Sequence, residues 1–282
     1  MTALPTNFEI YLKQRHARIN NALDQYLPQA TLAPKRLHEA MRYSVLNGGK
    51  RMRPLLVYTV GETCGADLNA LDFPASAIEL VHAFSLIHDD LPGMDNDDFR
   101  RGKPTCHKAF GEALAILAGD ALLVLAFQLL SSNNFVDPQT RINMINVITV
   151  ASGSLGMAGG QAIDIENTNL NLAQLEQMYV LKTGALLSAS VQLGALAAGV
   201  SQDILQLLDR YAYCLGLAFQ IQDDIFDLEE IERKITYPAL VGVEKSQQKI
   251  KELHAEIAET LGQIPNAERL NELTNYIMQR AT

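Results

Sequence analysis

A chain of 282 residues is long enough to bury a substantial core, and 48% hydrophobic against 20% charged residues is a folded, globular balance that excludes a disordered chain. The formal net charge of −9 speaks against a general nucleic-acid binder, although local cations or recruited metal ions would still let the protein bind anions. Three scattered cysteines, Cys64, Cys106 and Cys214, lack a CxxC spacing; they argue against a disulfide framework or a zinc site and fit a reducing compartment, so a cytoplasmic location is expected.

The first residues, MTALPTNFEIYLKQRH, lack the basic-then-apolar order of a signal peptide. An amphipathic helix is predicted from Phe8 to Tyr26, and a second from Pro34 to Asn47, where Gly48-Gly49 ends it. Another starts near Pro54. A long apolar helix runs from Phe73 to Asp90 and stops at Leu91-Pro92-Gly93. Further helices are expected at Glu112–Ser131, Pro138–Ile165, Leu172–Val200, Ser201–Leu228, Tyr237–Leu261 and Ala267–Arg280. The longest apolar run, Ala113–Leu130, has the length of a membrane span, but Gly119 and Asp120 interrupt it, so a helix buried on all sides of a bundle is expected, with no membrane span. Nothing reads as a run of strands, and no linker divides the chain. The expectation is one all-α domain over residues 1–282, a bundle of about ten helices around a deep central cavity.

Two carboxylate clusters stand out. The first is DDLPGMD, Asp89 to Asp95. On a continuous helix six residues turn about 600° and would part Asp89 from Asp95, but Pro92 and Gly93 allow a turn that brings Asp95 back. The second is DDIFD, Asp223 to Asp227, whose outer pair is spaced i, i+4 on one face, with Gln220 three residues earlier. Clustered carboxylates repel one another and raise one another's pKa. Mg²⁺ removes that cost, and it prefers a few carboxylates together with substrate phosphate oxygens. The two clusters are therefore expected to confront each other across a cavity with Mg²⁺ between them. A calcium loop starting at Asp95 fails, because its sixth position is Arg100 and its twelfth Cys106, where glycine and glutamate are needed.

Cations accompany the carboxylates. Arg100 and Arg101 follow the first cluster, GGKRMRP supplies Lys50, Arg51 and Arg53, and Lys182-Thr183-Gly184 lies further on. Arginine forks and lysine point charges suit diphosphate oxygens. GGKRMRP is no Walker loop, since it lacks the GxxxxGK[ST] spacing and follows a helix. Metal-binding carboxylates beside phosphate-binding cations describe a site for a diphosphate–Mg²⁺ substrate, and the apolar helices describe where the rest of that substrate goes.

GGKRMRP, HAFSLIHDDLPGMDNDDFRRGKPTCH, AGDALL, GGQAIDI, KTGALL, GLAFQIQDDIFD and TYPAL, in this order over nearly the whole chain, resemble the trans-isoprenyl diphosphate synthases, most closely the bacterial farnesyl diphosphate synthases. The resemblance implies an all-α homodimer with an isoprenoid-synthase-like fold and three Mg²⁺ ions when diphosphate is bound. It implies Asp89, Asp95 and Asp223 as metal ligands, with Asp90 and Asp227 completing or supporting them. Arg100, Lys182 and Gln220 would contact the allylic diphosphate; Lys50, Arg53, His82 and Arg101 would hold isopentenyl diphosphate; Thr183 would lie beside the reacting carbons. Phe84 and Ser85, on the helix leading to Asp89, would line the product cavity, and the bulk of Phe84 suggests a stop near C15.

The implied reaction is ionisation of dimethylallyl or geranyl diphosphate, condensation with isopentenyl diphosphate and loss of a proton, giving farnesyl diphosphate. The resembling sequences carry a longer lysine-bearing loop after the second cluster. Here only LEEIERKI joins Asp227 to Thr236, with Lys234 matching the lysine before TYP. Either the loop is short or mobile residues are missing from the sequence as read, and the second is the expectation. The alternatives are a geranyl or geranylgeranyl diphosphate synthase, a class I terpene cyclase, a non-catalytic partner subunit and a helical binding module. The complete second DDIFD opposes the cyclase and the partner subunit, and the binding module leaves both clusters unexplained.

Overall fold

Thr6 opens the first helix by accepting a hydrogen bond from the Glu9 amide, while the Glu9 carboxylate accepts one from the Thr6 amide at 2.6 Å. From there the computed structural model describes residues 6–166, 169–226 and 235–279. In chain order the helices are α1 Asn7–Tyr26, α2 Lys35–Leu46, α3 Met52–Thr63, α4 Leu68–Asp89, α5 Cys106–Phe110, α6 Glu112–Ser131, α7 Pro138–Ser152, α8 Met157–Ile165 and α9 Leu172–Tyr179. A π-helical turn at Val180–Gly184 leads into α10 Ala185–Ala198, followed by α11 Gln202–Phe226, α12 Tyr237–Val241, α13 Val243–Leu261 and α14 Glu268–Gln279.

Two compact units result. The first comprises Met1–Leu55 and Asn69–Ile145, the second Leu56–Leu68 and Asn146–Thr282. Ile19, Leu23, Ile78, Leu80, Leu122 and Leu130 are sealed in the core of the first. In the second, α11 packs on α10 and α13, and the buried Tyr211 hydroxyl meets Thr274 Oγ1 at 2.9 Å.

Several expectations need correction. Residues Phe99–Arg100 (β1) and Lys103–Pro104 (β2) pair as a two-residue antiparallel hairpin that turns through the left-handed Arg101 and Gly102. Gly156 separates α7 from α8, and Gly242, at φ +87°, separates α12 from α13. Helix α4 begins at Leu68, ahead of Pro74. Proline offers no amide to the Ala70 carbonyl one turn back. The fully buried Asn133 side chain donates to that carbonyl instead, at 3.0 Å, so the helix continues through the proline. Finally, α6 is not buried on all sides. Ala115, Ala118, Leu122 and Ala126 face inward at helical spacing, and Ile116, Leu117 and Val124 on the other side are exposed. By length and composition alone, α4, α6 and the segments Pro138–Ile165 and Leu172–Ala198 are apolar enough to cross a membrane.

Candidate active site

In the first unit, α4 ends in a compact turn. The amides of Met94 and Asn96 both donate to the Leu91 carbonyl, and the Asp95 amide donates to the Asp89 carbonyl at 2.8 Å. Asp95 thus returns to Asp89. The left-handed residue of the turn is Asn96, at φ +54°, and not Gly93 as the glycine suggested. Asp90 is 3% exposed. Arg100 Nε donates to its two carboxylate oxygens at 2.7 and 3.0 Å, and Arg100 also reaches Asp97 at 3.3 Å. Burial pushes the Asp90 carboxyl up, and Arg100 holds it back. Asp90 is therefore a clamp on Arg100, which is committed to carboxylates in this state.

Lys50, Arg53, His82 and Arg101 line one cavity of ≈ 410 Å³, together with Arg51 and Glu79. Local backbone explains the convergence. Gly49, at φ +120°, leaves room for the Arg101 guanidinium, which a Cβ would meet at 2.7 Å. Arg101 then donates to the Gly48 carbonyl at 2.5 Å. His82 is pushed well below the usual histidine range by burial first and then by Arg53, Arg101, Arg100 and Arg51, so its imidazole is neutral near neutral pH. Burial lowers Arg53 and Arg101 as well. Arg53 Nε is a buried donor without a hydrogen-bond partner among the described residues.

Phe84 meets the His88 ring edge to face at 4.8 Å, and Ser85 Oγ donates to the His82 carbonyl at 2.9 Å. His88 Nε2 lies 3.2 Å from the Ile116 carbonyl, over Gly119, where any Cβ would collide with the ring. The glycine of AGDALL thus braces the wall carrying Phe84.

In the second unit, the KTG motif is in the π-helical turn, a local underwinding frequent at functional sites. Lys182 Nζ pairs with Asp164 Oδ2 at 2.6 Å, and Thr183 Oγ1 donates to Gln220 Oε1 at 2.7 Å. Gly160 lets α8 press on the Lys182 backbone, and Gly216 faces Gly184, where a Cβ would meet its Cα at 2.9 Å. Asp223 is half-buried on α11. Its neighbour Asp224 is buried and accepts hydrogen bonds from the Tyr179 hydroxyl and, at 2.7 Å, from the Tyr237 amide. It ties α11 to the start of α12. Burial and Asp224 drive the Tyr179 hydroxyl strongly upward, so it stays protonated. Asp227, Lys234 and the residues between them lie outside the described residues.

Sequence reasoning missed Glu79, Asp164, Asp224 and Gln161. Glu79 stands among apolar neighbours in α4 and Asp164 is the one charge of α8, a signal that could have been read; Gln161 is buried with neither amide atom partnered among the described residues. Among the described residues no three His, Cys, Asp or Glu side chains form a ready-made metal cage. Asp89 and Asp95 are hard oxygen donors drawn together by the turn. That donor set fits Mg²⁺, which takes few protein carboxylates and fills its shell from water and phosphate.

The comparisons agree with this geometry. Residues 34–273 match the family described as polyprenyl synthetase. The farnesyl diphosphate synthase of Escherichia coli (strain K12) is 44% identical over 298 residues, covering 98% of both chains. Those 298 positions exceed the 282 residues here, so that relative carries residues without a counterpart in this chain. The chloroplastic geranylgeranyl pyrophosphate synthase of Capsicum annuum is 41% identical, covering 99% of this chain and 80% of its own. The apo crystal structure of an FPP/GFPP synthase from Zymomonas mobilis superposes with a TM-score of 0.91 at 40% identity, covering 96% of this chain and 99% of that one. The chain belongs to the polyprenyl synthetase family and has the all-α fold of the isoprenyl synthases.

Proposed function

We propose that this protein is a farnesyl diphosphate synthase: it condenses isopentenyl diphosphate with dimethylallyl diphosphate and then with geranyl diphosphate, releasing diphosphate each time. The observation that carries this reading is the single cavity shared by Lys50, Arg53, His82 and Arg101, side chains from three separate stretches of a chain 44% identical to a named farnesyl diphosphate synthase. Lys50, Arg51, Arg53 and Arg101, facing Glu79 as the one carboxylate of the lining among the described residues, favour a small polyanion there. The acceptor, isopentenyl diphosphate, is assigned to this cavity.

Asp89, Asp95 and Asp223 would hold Mg²⁺, three ions in the diphosphate complex, with Asp90 and Asp227 in support. When bound, Mg²⁺ neutralises charge on the leaving diphosphate. Arg100 and Lys182 add fixed positive charge for the allylic diphosphate, and Gln220 contacts it. The allylic C–O bond breaks with its electron pair going to diphosphate. The π electrons of isopentenyl diphosphate then form the new C–C bond, and a proton lost from the resulting cation makes the new double bond. The departing diphosphate is the base that takes it. The Thr183 hydroxyl, oriented by Gln220, and the Lys182 carbonyl stabilise the cation, while apolar walls exclude the water that would quench it.

A homodimer is part of this reading, with a cytoplasmic location. The geranylgeranyl and FPP/GFPP names among the relatives keep a longer product as the second reading.

The test incubates purified protein with Mg²⁺, isopentenyl diphosphate and, separately, dimethylallyl, geranyl or farnesyl diphosphate, and sizes the products. C15 from the first two and no extension of farnesyl diphosphate is expected. Asp89→Ala and Asp223→Ala should each lower kcat by about a hundredfold or more. Near wild-type turnover in either variant would refute the metal assignment.

A further inference from the structure

The cation cavity contains a residue that the family resemblance leaves without a role. Of the three cations in GGKRMRP, Arg51 is only 4% exposed, and each nitrogen of its guanidinium is committed inside the protein. Nε donates to Asn20 Oδ1 at 3.1 Å, one terminal nitrogen to the Val45 carbonyl at 2.7 Å, and the other to Glu79 Oε1 at 2.6 Å. The Arg51 and Glu79 side chains are 2% and 3% exposed. Arg51 also adopts a left-handed backbone at φ +50°, and its carbonyl accepts the Leu55 amide at 3.0 Å as α3 begins. The left-handed Arg51 thus stands at the start of α3 between Lys50 and Arg53, which line the same cavity.

Glu79 is the one carboxylate lining that cavity among the described residues. It sits on α4, one turn before His82. A fully desolvated carboxylate within an anion site weakens anion binding unless it does something else there, and a buried ion pair tolerates removal of one partner poorly. We propose that Glu79 is a positioning residue for the acceptor diphosphate. Through Arg51 it fixes the left-handed backbone that leads into α3, and so holds Lys50 and Arg53 in register with His82 and Arg101. The inference rests on the reading of this cavity as the isopentenyl diphosphate site. It assigns Arg51 to the scaffold, leaving the cavity's other cations to the ligand.

The experiment measures KM for isopentenyl diphosphate and for geranyl diphosphate separately, with kcat, and binding of isopentenyl diphosphate by calorimetry, in wild type, Glu79→Gln and Arg51→Lys. Glu79→Gln keeps an acceptor for Arg51 and removes the charge. Arg51→Lys keeps a cation beside Glu79, and so spares the fold, but loses the fork to Asn20 and Val45. Each variant is expected to raise KM for isopentenyl diphosphate by at least about tenfold, the cost of sub-ångström misplacement, with KM for geranyl diphosphate and kcat at saturation unmoved. Tighter binding of isopentenyl diphosphate in Glu79→Gln, or parallel shifts of both KM values, would overturn the positioning role alone. Wild-type protein that neither binds isopentenyl diphosphate nor condenses it would overturn the functional reading and this inference with it.

Discussion

Phe84 stands five residues before Asp89, about 7.5 Å back along α4. Its ring is steadied by His88, and His88 in turn by the close pass over Gly119, so it is a supported wall and not a loose side chain. A prenyl chain that grows along this helix away from the diphosphate would meet it. Phe84→Ala is expected to extend the product beyond C15 and to make farnesyl diphosphate a substrate, read by sizing the products. Unchanged product length at full activity would show that Phe84 is only packing. At this scale much was legible in the sequence. The aspartates, GGKRMRP and the KTG triplet are residue types that chemistry demands, and their order survives in one dimension. The partners were not legible. That Arg100 is held by Asp90, Lys182 by Asp164 and Arg51 by Glu79 depends on contacts between residues 10 to 28 positions apart, which no local pattern encodes.

Elements were read less completely than residues. Helical periodicity located most of the helices, but the π-helical turn at Val180–Gly184 was invisible, because one inserted residue shifts the period too briefly to register. The start of α4 was misplaced for a different reason: the orphaned Ala70 carbonyl is satisfied by Asn133, far along the chain. The π turn has a structural dependence that can be measured. Helix α8 approaches it so closely at Gly160 that a Cβ would strike the Lys182 backbone, and backbone cannot step aside as a side chain would. Gly160→Ala should therefore part α8 from the turn and disturb the Asp164–Lys182 pair. A loss of roughly 1–3 kcal/mol of stability, typical of overpacking, is expected by denaturant unfolding. The fall in kcat should exceed that in the neighbouring Ala162→Gly control. Wild-type stability and turnover in Gly160→Ala would mean that the contact is slack.

The whole molecule poses the question of what covers α6. Ile116, Leu117 and Val124 are 43%, 52% and 65% exposed, and Phe135 and Ile142 of the same unit are exposed at 58% each. An apolar surface of this kind needs a partner, whether protein or lipid. Length and composition would let α6 span a membrane, but its other face is sealed in the protein core and Asp120 lies in the middle of the exposed stripe. A charge at that depth in hydrocarbon costs several kcal/mol, by about 2.5–3.5 on insertion scales. A second copy of the chain fits better, since it buries the apolar side chains and a protein interface can pair or hydrate the Asp120 carboxylate, which hydrocarbon cannot. Light scattering of the purified protein without detergent is then expected to give twice the 31.0 kDa chain mass. Leu117→Glu with Val124→Glu should yield monomers, because paired copies would bring like charges together in an apolar interface. A wild-type monomer in solution, or a double variant that stays dimeric, would exclude this face as the interface.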